Sequence, residues 1–271
     1  MLLCLGVSLE SDKTAMSTTR TTNLSEFVKI TREANPYCIL PDNLDTPVWR
    51  YMDLEKFHSL LKESALYLCR ADRLEERFEG TYSRRQIIEM EKWFRAIGKD
   101  HLIEAEKERR RKDRLNTYIN CWCMGECDLD LMWKRYIRKP PGISIMSSVK
   151  RLKDICDRAL ECWPLDISAI AYFKHVEGEN INYLGTPATF IYKDVHFKLD
   201  NELRIIHYPS YSEPTPTHVF LKIDLKDLIE KVVLQPMAKE SDMACVMGML
   251  RNAELDEIPV KHSRADGEII V

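Results

Sequence analysis

The chain of 271 residues is 45% hydrophobic and 31% charged, with a net charge of −3. Such a composition buries a sizeable core in one large domain or two small ones, and it lacks the overall basic character that makes nucleic acid the default partner. Nine cysteines, an odd number at irregular spacing in a chain too large to need disulfide staples, read as reduced thiols in a cytoplasmic protein.

Met1 to Leu9 is apolar but has no basic start, and polar Glu10-Ser-Asp-Lys comes next, so no secretory signal is read there. The run is also far short of the roughly 20 residues that span a bilayer, and no membrane partner is expected. Met16 opens a polar segment like a natural start, which makes residues 1–15 a loose extension. Pro36, Pro41 and Pro47 punctuate the chain ahead of the first strand. Residues 1–44 are assigned as a flexible arm, 45–265 as one α+β domain and 266–271 as a tail.

Val48 to Met52 reads as a short strand. Asp53 then offers an N-cap to a helix over 54–64, in which Leu54, Phe57, Leu60 and Leu61 recur at helical spacing. Ala65 to Cys69 is a strand, and the charged loop after it closes at Gly80. Residues 83–115 read as an inserted hairpin of two helices broken at Gly98. The first is expected to bury Ile87, Ile88, Trp93, Phe94 and Ile97. The second, His101 to Leu115, is dominated by charge. Such a run is ordinarily a solvated face, and the alternative is a basic patch for phosphate or nucleic acid.

Tyr118 to Cys123 alternates as a strand. Leu129 to Tyr136 is a short helix carrying Met132, Trp133 and Tyr136. Gly142 to Ser147 is a strand, and the helix from Ser148 buries Val149, Leu152, Ile155, Cys156, Ala159 and Leu160. Further strands are expected at Ile167 to Val176, Thr189 to Tyr192, Glu202 to Tyr208, His218 to Ile223, Val232 to Leu234 and Ile258 to His262. Helices are expected at Leu225 to Lys231 and Asp242 to Ala253. Strands joined by short loops rather than helical crossovers define an α+β fold with a mixed, mostly antiparallel sheet.

No Gly-rich phosphate loop, HExxH, GxSxG or EF-hand loop is present. Cys121, Cys123 and Cys127, with Cys156 or Cys162, could in principle hold zinc, but the spacing lacks two CxxC pairs, and small buried hydrophobes are the plainer reading. No metal is assigned. His207 and His218 would approach if their strands paired. The stretch Lys193 to His207 places Glu202 and Arg204 on one strand face, with Asp200 beside them if the strand starts that early. That pattern is either a cleft or a solvent-exposed ion pair on an edge strand. Arg50 and Tyr51 precede a helix, and Tyr136 comes after Met132-Trp133. An arginine for a pyrophosphate, an aromatic shelf and a lone carboxylate can together bind a dinucleotide. The plainer alternative has Trp133 and Tyr136 in the core and Arg50 paired with a surface acid.

Trp49-Arg-Tyr51, Leu74-Glu-Glu-Arg-Phe-Glu-Gly80, Asn120-Cys-Trp122, Met132-Trp-Lys-Arg-Tyr136, Gly142-Ile-Ser-Ile145 and Asp200-Asn-Glu-Leu-Arg204 occur in that order. In this the chain, over roughly residues 45–265, resembles the mostly bacterial family numbered 2971 of the domains of unknown function. The family usually shows Glu-x-Glu where this chain has Asp200-Asn-Glu202, and Asn-Asp before Pro-Phe-Glu where it has Leu74-Glu-Glu-Arg before Phe78-Glu79. Glu79, Tyr136, Glu202 and Arg204 carry over as candidates. A weaker resemblance, to ADP-ribosyltransferase-like folds, implies a split-sheet core. It assigns Arg50 to the nicotinamide ribose, Tyr136 to the ring and Glu202 to catalysis.

Two functions are expected on these grounds. One is a binding module for a protein or nucleic-acid partner recruited by the charged helix 101–115, in a bacterial and phage-defence setting. The other is an NAD-using transferase or glycohydrolase. It takes Glu202 and Tyr136 as catalytic residues and Arg50, Tyr51, Arg204 and Glu79 as cofactor-binding residues.

Overall fold

The computed structural model describes residues 38–76, 79–126, 128–159, 163–174, 188–209 and 215–264. The fold is α+β, built on a mixed, mostly antiparallel nine-stranded sheet. β1 (Pro47–Asp53) leads into α1 (Leu54–Glu63) and β2 (Ala65–Arg70). Asp53 caps α1 by accepting the Lys56 N–H at 2.9 Å. The hairpin of α2 (Arg84–Ala96) and α3 (His101–Leu115) precedes β3 (Tyr118–Met124). Next come α4 (Asp130–Tyr136), β4 (Gly142–Ser148) and α5 (Val149–Ala159). After them come the strands β5 (Leu165–Ala169), β6 (Ala171–Phe173), β7 (Tyr192–Asp194), β8 (Glu202–His207) and β9 (His218–Lys222). The described chain closes with α6 (Leu225–Leu228), β10 (Lys231–Leu234), α7 (Glu240–Asn252) and β11 (Val260–His262).

The strand order is β11-β10-β4-β1-β3-β2-β9, with β8 paired to β3 and β5 paired to β8. β3 is a branch point. One edge pairs with β8 from Tyr118 to Cys123. The other edge is shared, with β1 at Cys123 and Met124 and β2 at Tyr118 and Ile119. The sheet therefore forks, with Asn120 to Trp122 between the prongs.

Alternation along the strands separates two faces. Val48, Met52, Trp122, Leu203 and Ile205 join the main core with residues of α1, α5, α6 and α7. On the opposite face, Trp49, Tyr51 and Cys123 pack with Met132 and Trp133 of α4. There Ile119 and Ile206 also pack with Ala71, Ile170, Phe190 and Ile191. At the base of the hairpin the Ala71 N–H donates to the Thr117 carbonyl at 2.8 Å.

Several expectations need correction. α2 has no buried residue, and Trp93 is 55% exposed, with Ile88 and Ile97 at 43%. Of the expected face, Ile87 and Phe94 are half-buried, whereas Ile88, Trp93 and Ile97 are left exposed. Residues 38–44 of the expected arm are fastened down. Ile39 N–H donates to Ser168 Oγ at 3.0 Å, the Ile39 carbonyl accepts the Ala169 N–H at 2.7 Å, and Leu40 and Leu44 pack on the core. The single strand expected from Ile167 breaks at Ile170, where the chain leaves the main sheet for a parallel pair, β6–β7. Residues 188–191 form a 3-10 turn that plugs Phe190 and Ile191 into the core, so the strand begins at Tyr192. Helix α6 ends at Leu228 because Ile229 is extended, ahead of the β-branched pair Val232-Val233 in β10. β8 and β9 do not pair, and His207 and His218 belong to separate prongs of the sheet. The described cysteines form no disulfide. The tail after residue 264 and the arm before residue 38 lie outside the described residues.

Candidate functional site

β8 is central rather than an edge strand, since it pairs on both sides. This places Glu202 and Arg204 inside, 4% and 1% exposed, so the pair is neither a solvent-exposed edge pair nor an open cleft. Arg204 Nε donates to Glu202 Oε2 at 2.8 Å. Its Nη1 and Nη2 donate to the two oxygens of Glu79 at 2.5 and 3.0 Å, and Nη1 also donates to the Phe190 carbonyl at 2.9 Å. A forked guanidinium bound on every side is the geometry in which a buried ion pair holds together. Glu79 is delivered by Gly80, whose φ of 67° suits glycine. A Cβ there would lie 2.2 Å from the Phe190 ring.

Asp200 does not start the strand. Residues Val195–Asp200 form a 3-10 helix, and Asn201 turns the chain at φ 40°. That turn swings Asp200 into the same interior. Lys193, from β7, donates to Glu202 Oε1 at 2.5 Å and to Asp200 Oδ2 at 3.1 Å, with Glu76 Oε2 at 3.7 Å. Arg135 of α4 pairs with Asp200 at 3.1 Å. Four carboxylates thus surround three cations.

This arrangement sets the protonation states. Burial alone would raise the Glu202 carboxyl, but the Arg204 guanidinium and the Lys193 ammonium hold it down at about 2. Glu202 is therefore a permanent anion with both oxygens occupied, unsuited to proton abstraction. Glu76 goes the other way: burial, then repulsion by Glu79, pushes it up to about 7. Its Oε2 is buried without a hydrogen-bond partner.

Beside the network, Tyr51 stacks on Tyr136 (centroids 5.7 Å apart, 11° between planes) and meets Trp133 edge-on at 4.8 Å. Burial raises the Tyr136 hydroxyl, with Cys123, Asp200 and Glu202 adding to the shift. These rings lie on one another, so they form part of the core rather than an empty shelf.

Arg50 occupies the fork. Its Nη1 donates to the Cys121 carbonyl at 3.4 Å, and the guanidinium lies 5.9 Å from the Trp122 ring centre. Among the described residues no carboxylate pairs with it, in contrast to the expected surface acid, and burial lowers its pKa. Across the fork, Asn120 Nδ2 donates to the Tyr67 carbonyl at 2.8 Å. Tyr67 lies 4.8 Å from His218 and 5.8 Å from Phe220, ring to ring.

Of the expected site residues, Glu79, Glu202 and Arg204 are in contact, Tyr51 and Tyr136 stack next to them, and Arg50 stands apart in the fork. Lys193, Asp200 and Glu76 complete the network. Their charge in an apolar neighbourhood was visible in the sequence, but the 3-10 turn that brings them inward was not. No group of three metal-ligating side chains exists among the described residues, and Cys127 and Cys162 lie outside them. Burial raises the Cys121 thiol to about 12, so it stays protonated. A cavity of about 480 Å³ lies beyond Trp49, against Asp128, Lys231, Lys261, His262 and Arg264. No helix among the described residues is long and apolar enough to cross a membrane. Comparison with protein-family models, curated proteins and solved structures finds no match.

Proposed function

We propose that the protein is a binding module whose α2–α3 hairpin meets a protein partner. The observation that carries this is Trp93, 55% exposed on a helix with no buried residue, with Ile97 exposed one turn further on. Large exposed aromatics are the kind of residue that anchors interfaces. The charges of the hairpin favour protein over nucleic acid. Lys107, Arg109, Arg110, Arg111 and Lys112 each face an acid on their own helix, namely Glu104, Glu106, Glu108 or Asp113. Cations already paired give little to a phosphate backbone. The resemblance to the family numbered 2971 supports a bacterial, cytoplasmic setting, with phage defence as the suggested role. A photo-crosslinking residue at position 93, compared with one at exposed Lys150, is expected to give protein adducts only at 93. Equal yields at both positions would end this reading.

Arg50 favours a second reading, in which a small anionic ligand with an aromatic ring, such as NAD, enters the fork. Among the described residues the desolvated guanidinium has one hydrogen bond, at 3.4 Å, and no anionic partner, and the Tyr67, His218 and Phe220 rings provide a stacking surface. Calorimetric titration of NAD is expected to give heat with the wild type and less with Arg50→Gln. No heat at millimolar NAD would remove this reading. In either case Glu202 acts as a fixed charge, since its oxygens are held by Lys193 and Arg204.

A further inference from the structure

Arg50 is not the only cation left over near the fork. Arg73 ends the 3-10 turn Ala71–Arg73 that follows β2, and its side chain makes no ion pair or hydrogen bond among the described residues. The acids around it are engaged elsewhere. Arg70 holds Asp72 at 2.7 and 3.1 Å, Arg138 pairs with Glu75, Lys193 faces Glu76 at 3.7 Å, and Arg204 holds Glu79. Glu202, on the far side of Cys121, is bound by Lys193 and Arg204.

The two free guanidinium groups bear on the same place. Tyr67 and Cys69 stand two apart on β2 and so share a face, where the hydroxyl and the thiol are hydrogen-bonded to each other. Burial raises both groups, and Arg73 and then Arg50 pull each of them the other way. Arg50 comes to this face from β1, held at the fork by the Cys121 carbonyl at 3.4 Å. Across β2 and β9, Phe220 is opposite Tyr67 and His218 is opposite Cys69. His218 lies nearly parallel to Tyr67, at 4.8 Å and 21°, Phe220 meets it edge-on at 5.8 Å, and the Tyr67 ring is still 41% exposed. An aromatic platform thus stands open beside two cations without an anion.

We infer that this face binds a 5′-mononucleotide, with Arg50 and Arg73 on its phosphate and its base on the Tyr67 ring. This rests on the reading of the fork as a ligand site and names the ligand. A phosphate monoester carries about two negative charges near neutrality. Two guanidinium groups converging on one point suit such a single dianion better than two singly charged phosphates in a row, and the planar guanidinium is the group that grips phosphate oxygens in pairs. A nucleobase stacks on any aromatic ring, and three contiguous rings give it more surface than a single phenol needs.

Calorimetric titration of the full chain with AMP, adenosine, inorganic phosphate and O-phosphotyrosine tests the inference. AMP is expected to give saturable heat, and adenosine, which lacks the phosphate, none. Arg73→Gln, a change at an exposed side chain, is expected to weaken AMP binding about tenfold, the scale of one charge-assisted contact, with an unchanged circular dichroism spectrum. Tyr67→Ala is expected to weaken AMP and to leave inorganic phosphate as it was. Absence of heat with AMP, AMP binding indifferent to Arg73→Gln, or phosphate alone binding as tightly as AMP each overturns the inference. So does a preference for O-phosphotyrosine, which would make a modified peptide the ligand. If NAD gives heat that falls with Arg50→Gln and not with Arg73→Gln, the fork remains a ligand site and only the mononucleotide is lost. If neither nucleotide gives heat, both readings fall.

Discussion

Arg204→Met is expected to cost about 3–5 kcal/mol of folding stability, the scale for removing one member of a buried ion network. The loss comes mainly from what remains. Glu79 keeps both oxygens in an interior where Arg204 supplied a hydrogen bond to each, at 2.5 and 3.0 Å. Glu202 keeps only Lys193, and the Phe190 carbonyl loses a donor. Adding Glu79→Leu to Arg204→Met removes the stranded carboxylate and is expected to recover a large part of the loss, because an apolar pair of similar volume suits such a site. Guanidinium-chloride unfolding of the two single variants and the double variant gives the coupling directly. A loss below about 1 kcal/mol for Arg204→Met would mean that the network does not fasten the Glu79 loop to β8.

Glu76→Gln is expected to stabilise the protein at pH 8 and to leave it nearly unchanged at pH 4. The Glu76 carboxyl is raised from 4.5 to about 7 in the folded state. Below the lower value both states hold the proton. Between the two values the unfolded chain has released it and the folded chain has not, so stability falls as the pH rises through this window. The full span corresponds to about 3 kcal/mol at most, and above the window the loss is complete. A neutral glutamine of the same shape removes that slope. Glu202 has the opposite sign. With its carboxyl held at about 2, its contribution is present above 4.5 and is lost as the pH falls toward 2. Unfolding midpoints at intervals from pH 4 to 8 test the claim. Parallel wild-type and Glu76→Gln profiles would show that Glu76 is solvated and does not belong to the network.

The sequence made the strands easy to find wherever their alternation was regular. Val48 to Met52, Ala65 to Cys69 and Tyr118 to Cys123 are strands, and Asp53 caps its helix. The errors lie where tertiary contacts override local pattern. Trp93 and Ile97 have core-like spacing, and spacing alone cannot tell whether another element lies against that face. Strand alternation correctly puts Glu202 and Arg204 on one face. Their burial could not be read from the sequence, because it depends on β5 lying beside β8 and on the turn at Asn201. Arg50 stands out by residue type, but its isolation results from the fork at β3, a property of pairing that no local pattern encodes.

The hydrogen bond between Ala71 and Thr117 closes the chain beneath the hairpin, and buried Ser83 and Thr117 stand at its two feet. The body is thus tied off before α2 begins and after α3 ends. Lengthening a closed excursion costs only about 0.6 kcal/mol per doubling, so this segment has evolutionary latitude that the strands on either side lack. Changes in the hairpin's length or surface residues therefore leave the scaffold beneath it unaltered.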